Sequence, residues 1–248
     1  MPRPLFIVLL AVSCLWIRLS TVHAASYTFT TLDVPDGTAT QAQGINNRGQ
    51  IVGTYIDSSG VQHGFLYAAG VFTTLDVPGA DETTAFGLND IGQTVGEYYN
   101  DPSKKPHGFL YADGQVTPLA VPFAGATATH PYGINNQSQV VGNYFTEAER
   151  YHGFLYEQGI FTSFDAPQAV WTLAYGINQR GQVVGESVDE SGTHGFLYAG
   201  GAFTSLDVRN APITIAFGLN DVSQIVGIYQ EESGTHGFLA TPEKGSQA

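Results

Sequence analysis

The chain is poor in cysteine, methionine and basic side chains: its 248 residues include one Cys, one Met and nine Lys plus Arg, against 22 Asp plus Glu. With one cysteine there can be no intrachain disulfide, so stability has to come from packing. The shortage of Lys and Arg argues against nucleic acid or an anionic membrane as partner, because both require a basic footprint. Long hydrophobic runs are missing too. The one apolar stretch, Leu5 to Trp16, is cut short by Arg18 and falls below the roughly 20 residues that a bilayer span requires. No segment carries a sustained helical period, which points away from helices altogether.

The apolar stretch has a different explanation. Arg3 supplies a positive start, Leu5 to Trp16 an apolar centre and Val22-His23-Ala24 a small-residue cleavage site, the pattern of a secretory signal peptide. Residues 1–24 are therefore expected to be removed after Ala24, leaving residues 25–248 as one secreted domain, extracellular or periplasmic, with no transmembrane segment. Ala11-Val12-Ser13-Cys14 fits a lipidation box less well, since alanine stands where leucine is usual and the apolar run continues past Cys14. Loss of Arg3 and Arg18 leaves a net charge near −15. General solubility accounts for that excess more simply than an acidic site for a basic ligand does.

What is present is a repeat. Gly-Ile/Leu-Asn recurs at Gly44, Gly87, Gly133, Gly176 and Gly218, and His-Gly-Phe-Leu at His63, His107, His152, His194 and His236, with a period of about 43 residues. Each copy holds four short runs rich in Val, Ile, Phe, Tyr and Thr, bounded by Gly, Asn, Asp and Pro. In the second copy these are Thr84 to Asn89 (strand A), Gln93 to Tyr98 (B), His107 to Ala112 (C) and Gln115 to Val121 (D). The pattern predicts an all-β, five-bladed β-propeller with four antiparallel strands per blade. A β-helix is the rival, but its coils are usually shorter than this period.

The links between C and D are Ala69-Gly70, Asp113-Gly114, Gln158-Gly159 and Gly200-Gly201, two-residue loops of the type I′ kind. That register sets His63 opposite Asp76, His152 opposite Asp165 and His194 opposite Asp207. In the second copy Ala120 replaces the Asp opposite His107. The chain opens on a D-like run, Tyr27 to Val34, and ends on a C-like run, His236 to Thr241. The first is expected to complete the last blade and close the ring, with His236 opposite Asp33.

Gly-Ile-Asn-x-x-Gly-Gln-Val-Val-Gly followed by His-Gly-Phe-Leu-Tyr resembles the HAF repeats of extracellular proteins, with Gly in place of the middle Ala in every copy. The similarity spans nearly the whole of residues 25–248. It implies a secreted repeat protein and brings no catalytic residues with it.

The five histidines sit on different blades and cannot converge on one ion, so no metal site is expected of them. Pairing with the cross-strand Asp, as a hairpin staple, is the simpler role. No phosphate loop or cofactor motif is present. The D to A and B to C connections emerge on one face and differ between copies, and variable loops on a rigid scaffold are where a site is expected. A Thr recurs there (Thr40, Thr83, Thr129, Thr172, Thr214), and the residue after it changes: Gln41, Thr84, His130, Leu173, Ile215. Gln41, Asp81, Glu82, His130 and Trp171 are the candidate ligand-binding residues. Trp171 would serve as a stacking platform or as a loop anchor. The aromatics before the strand A glycine, namely Phe86, Tyr132, Tyr175 and Phe217, are expected to pack between blades.

These features favour a non-catalytic binding module for a glycan or an extracellular protein. A glycoside hydrolase or lyase with acids at the central mouth, and a structural envelope or matrix protein, remain the alternatives.

Overall fold

The computed structural model describes residues 28–100, 105–209 and 211–243, in which there is no helix. The signal-peptide segment lies outside the described residues. Met1–Thr31 and Leu32–Ala248 are separate compact units. Of the first, only residues 28–31 are described, and they carry no strand.

In the second unit each repeat is an antiparallel meander. The first comprises β1 (Ala39–Ile45), β2 (Ile51–Ile56), β3 (Gln62–Ala68) and β4 (Val71–Thr74). The second comprises β5 (Glu82–Leu88), β6 (Thr94–Tyr99), β7 (His107–Ala112) and β8 (Gln115–Leu119). The third comprises β9 (Ala126–Ile134), β10 (Val140–Thr146), β11 (Tyr151–Glu157) and β12 (Ile160–Phe164). The fourth comprises β13 (Trp171–Ile177), β14 (Val183–Asp189), β15 (Gly192–Ala199) and β16 (Ala202–Ser205). The fifth has only β17 (Ile213–Leu219), β18 (Ile225–Glu231) and β19 (Gly234–Ala240). It merges with the fourth into a seven-stranded sheet through one parallel bridge, Thr193 to Ile213.

The hairpin register is as expected. Residues 69 and 70 have φ of 50° and 85°, and 158 and 159 have 51° and 87°, the two positive angles of a type I′ turn. Ladder pairs such as Phe65 with Thr74 and Phe154 with Ser163 then bring the paired histidines and aspartates together. His63 Nδ1 lies 2.7 Å from Asp76, His152 Nδ1 2.9 Å from Asp165 and His194 Nδ1 3.0 Å from Asp207. A cross-strand Tyr stacks on the ring in three repeats, with Tyr55–His63, Tyr144–His152 and Tyr229–His236 centroids 5.0, 5.0 and 5.1 Å apart.

Ring closure by the N-terminal run is not seen. Residues 28–34 are not a strand, and among the described residues no hydrogen bond joins His236 to Asp33. His236 Nε2 instead meets its own loop, 3.0 Å from Ser233 Oγ and 3.5 Å from Glu231.

Successive repeats are joined through their first strands. A Cβ on Gly44, Gly87, Gly133 or Gly176 would lie 2.7, 2.5, 2.9 or 3.0 Å from the carbonyl oxygen of Phe86, Tyr132, Tyr175 or Phe217 in the next repeat, so only glycine permits the approach. The adjacent asparagines seal it. Asn46, Asn89, Asn135 and Asn178 each cap their own turn through Oδ1 or Nδ2 and donate the same amide to the carbonyl of the next repeat's Asn, at 2.9 to 3.0 Å. The recurring Thr is the second tie. Oγ1 of Thr83, Thr129, Thr172 and Thr214 accepts from the N–H of Val77, Val121, Ala166 and Val208, fastening the end of one repeat to the start of the following one. The core lies between the sheets, with Val95, Ile134 and Phe154 in one cluster and Val141, Ala174 and Phe196 in the next.

Two outcomes are expected. Gly133→Val forces a side chain onto the Tyr175 carbonyl and should cost on the order of 2 kcal/mol in denaturant unfolding. The second concerns the histidine staples. Burial lowers the His63 and His194 pKa values, but hydrogen bonds and charges from Asp76 and Asp57, and from Asp207 and Asp189, outweigh it and raise both. A raised histidine stabilises most fully below its unfolded value, about 6.5, and that contribution fades as the pH climbs through the folded value. The His63→Gln/His194→Gln double variant should therefore melt furthest below wild type at about pH 5.5, with the gap narrowing by about pH 9. A gap independent of pH would rule out the ionic pairing.

Candidate functional site

The ladder between the first and second strand of each repeat slips by one residue at the strand A glycine, for example between Ala85 and Gly87. The residue inside this bulge is Gln43, Phe86, Tyr132, Tyr175 or Phe217. A bulge re-aims its side chain, and here it lines the rings up across neighbouring repeats. Phe86–Tyr132, Tyr132–Tyr175 and Tyr175–Phe217 centroids are 5.0, 5.5 and 5.8 Å apart.

Polar groups gather against this row in the second to fourth repeats. Glu97, on β6, is nearly buried. Its Oε2 lies 2.8 Å from His130 Nδ1, and Tyr99 donates its hydroxyl to Oε1 at 3.1 Å. Glu186, at the equivalent position on β14, accepts the Tyr175 hydroxyl at 2.7 Å. Burial raises the Glu186 carboxyl above its ordinary pKa, although the Tyr175 bond pulls the other way. Burial, then the Glu97 charge, pushes the Tyr132 hydroxyl up to about 12.

Asn143 occupies the same position on β10, directly across the ladder from His130. It is 1% exposed, and neither Nδ2 nor Oδ1 has a hydrogen-bond partner. The Tyr132 hydroxyl interacts with this amide, which pulls its pKa down against the effect of burial, but the contact falls short of a well-formed hydrogen bond. Leaving such an amide unsatisfied typically costs about 1–3 kcal/mol, so the side chain is there at the expense of stability.

Rings continue from this centre to the variable face. His130 lies 6.4 Å from Tyr132, nearly parallel, and 6.2 Å from Tyr151. Tyr151 meets the edge of Trp171 at 6.0 Å and 89°. Trp171 is 40% exposed and donates Nε1–H to the Glu149 carbonyl, which fixes the ring without hiding its face.

Of the residues marked from sequence, His130 and Trp171 thus meet through Tyr151. Glu82 lies across the ladder from Tyr99, and its charge helps raise that hydroxyl. Asp81 has an exposed side chain and joins only through its N–H, bonded to the Tyr99 carbonyl at 2.6 Å. Gln41 faces Thr54 in the first repeat, where neither position carries a ring or a charge. Glu97, Asn143, Glu186, Tyr99 and Tyr151 were missed. A signal for three of them exists in the sequence: the residue after Val-Gly on the second strand is Thr54, Glu97, Asn143, Glu186 or Ile228, a position where the copies disagree as much as in the loops. Among the described residues, no group of three or more His, Cys, Asp or Glu is arranged to hold a metal.

No family model matches the sequence, and no curated protein matches it. Among solved structures, one of two prolyl endopeptidases superposes on 84% of this chain with a TM-score of 0.57 at 9% identity, this chain spanning 36% of that one. The β-propeller domain of the Trilobed protease from Pyrococcus furiosus is similar over 84% of this chain and 82% of its own, with a TM-score of 0.46 at 9% identity. A fucose-specific lectin from Aleuria aurantia is similar over 82% and 76%, with a TM-score of 0.46 at 10% identity. The likeness is one of fold alone.

If Asn143 is kept for a ligand rather than for the fold, Asn143→Leu should raise the unfolding free energy, by roughly 1–3 kcal/mol. Differential scanning calorimetry of the purified variant checks this, and a lower midpoint would show that the amide supports the fold.

Proposed function

We propose that this chain is a secreted β-propeller-type protein of the HAF-repeat type, its five repeats forming five blades in an array left open between the first and the fifth, and that it binds a glycan through the aromatic and carboxylate cluster of its second to fourth repeats. Secretion is supported by the signal-peptide pattern of Met1 to Ala24. The observation that carries the binding reading is the course of the cluster, from the half-exposed Trp171 through Tyr151 and His130 to the unsatisfied amide of Asn143. Aromatic faces stack on the apolar faces of sugar rings, while a few fixed polar groups choose among hydroxyls. Glu97 and Glu186 are acceptors for hydroxyl donors, and the chain's excess of acids favours a neutral or basic glycan over an acidic one.

Catalysis is the second reading. It rests on Glu186, whose raised carboxyl is a feature of general acids. On that reading, incubation with polysaccharides releases new reducing ends, and Glu186→Gln abolishes them.

A glycan array with wild type, Trp171→Ala and Glu97→Gln tests the binding reading. Both variants should lose about tenfold in affinity for the glycan that wild type retains, equivalent to about 1.4 kcal/mol. Full retention by Trp171→Ala would remove that ring from the site. Failure of wild type to bind any soluble glycan would favour a structural role in an envelope or matrix.

A further inference from the structure

The contact between neighbouring repeats occurs four times, and its two halves are exposed at opposite ends of the array. In each internal contact a strand B valine of one repeat meets the Ile or Leu after the strand A glycine of the next. Val95 with Ile134, and Val141 with Ile177, share clusters in this way. Val52, Val95, Val141 and Val184 are accordingly 0% exposed. Their counterpart in the fifth repeat, Val226, is 51% exposed, and Ile45, the matching half on the first repeat, is 69% exposed.

The polar part of the contact stops at the same two places. A second chain of bonds runs beside the asparagine ladder, through residues 47, 90, 136, 179 and 221. The Asn47 N–H donates to Asp90 Oδ1 at 2.8 Å, that of Asp90 to Asn136 Oδ1 at 2.8 Å, that of Asn136 to Gln179 Oε1 at 3.0 Å and that of Gln179 to Asp221 Oδ1 at 2.8 Å. One more step would carry the Asp221 N–H to the side-chain oxygen of a residue placed like Asn47. The backbone gap is also prepared. Gly218 has only Val226 near the position of a Cβ, at 3.8 Å, where each earlier counterpart faces a carbonyl of the next repeat.

We propose that the free face of the fifth repeat receives the free face of the first repeat of a second copy, so that this protein assembles head to tail through a fifth instance of its own repeat contact. The two faces differ, so the interface is heterologous and propagates into a ring or a filament rather than a two-fold dimer. One copy supplies Val226, the Asp221 N–H and the Gly218 gap, and the other supplies Ile45, the Asn47 side-chain oxygen and the backbone carbonyl of Gln43.

Single-thiol chains test this. In residues 25–248, which hold no cysteine, Asn47→Cys and Asp221→Cys are made separately, mixed in equal amounts and treated with a short bis-maleimide. Head-to-tail assembly yields a product of twice the chain mass in the mixture, and a ladder of multiples when both cysteines are carried by one chain. Adding Val226→Arg to the Asp221→Cys chain should reduce the product by about tenfold, because it places a charge against an apolar partner. Three results would overturn the proposal: no product in the mixture, both thiols of the double variant joined within one chain, or a yield unchanged by Val226→Arg.

Discussion

Everything else in this structure depends on how closely one repeat can approach the next. A glycine on the first strand lets the following repeat's backbone come within a distance that any Cβ would block, and the neighbouring asparagine closes the gap with an amide-to-carbonyl bond. The asparagines of this ladder are almost wholly buried in the middle repeats, at 3%, 1% and 3% exposure for Asn89, Asn135 and Asn178. A buried amide is tolerated only when satisfied, and here each bonds its own turn and its neighbour. The result is a quasi-one-dimensional stack in which each repeat is held chiefly by those beside it.

A regular scaffold releases particular positions from packing. The bulge that accompanies the glycine turns one side chain per repeat out of the ladder, a ring in all but the first, and the residue after Val-Gly faces the same region. In the middle three repeats those positions carry Glu97, Asn143 and Glu186. In the outer two they carry Thr54 and Ile228. Polarity is therefore concentrated rather than repeated, and among the described residues the Asn143 amide has no well-formed hydrogen bond. The proposed site rests on this concentration of poorly satisfied polarity in one region of an otherwise well-bonded array.

Much of the fold was legible. The third strand of the second copy runs from His107 to Ala112 as its pattern predicts, because the run Phe109-Leu110-Tyr111 ends there on the two-residue turn Asp113-Gly114. The histidine to aspartate register followed from the same turns, since a hairpin of fixed loop length leaves no freedom in pairing. The site was legible only in part. His130 and Trp171 stood out as departures from the repeat, whereas Glu97 and Glu186 sit within a motif whose flanking residues are constant and so read as strand. What makes them a cluster is the side-by-side placement of β5, β9 and β13, which no spacing along the chain encodes. Residues 28–34, expected to form the closing strand, carry none: a matching pattern shows that two segments are able to pair, while whether they do is decided by the tertiary structure.

By itself the sequence determined the local structure, namely strands, turns, register and the absence of helices among the described residues, because these depend on alternation, glycine placement and contacts within some 15 residues. Only the tertiary structure decided which side chains from different repeats meet, which amide is left without a partner, and that the array has two unmatched faces. Those outcomes depend on the angle and distance between whole sheets. That geometry is set by the glycine-to-carbonyl approach acting in series, one repeat against the next.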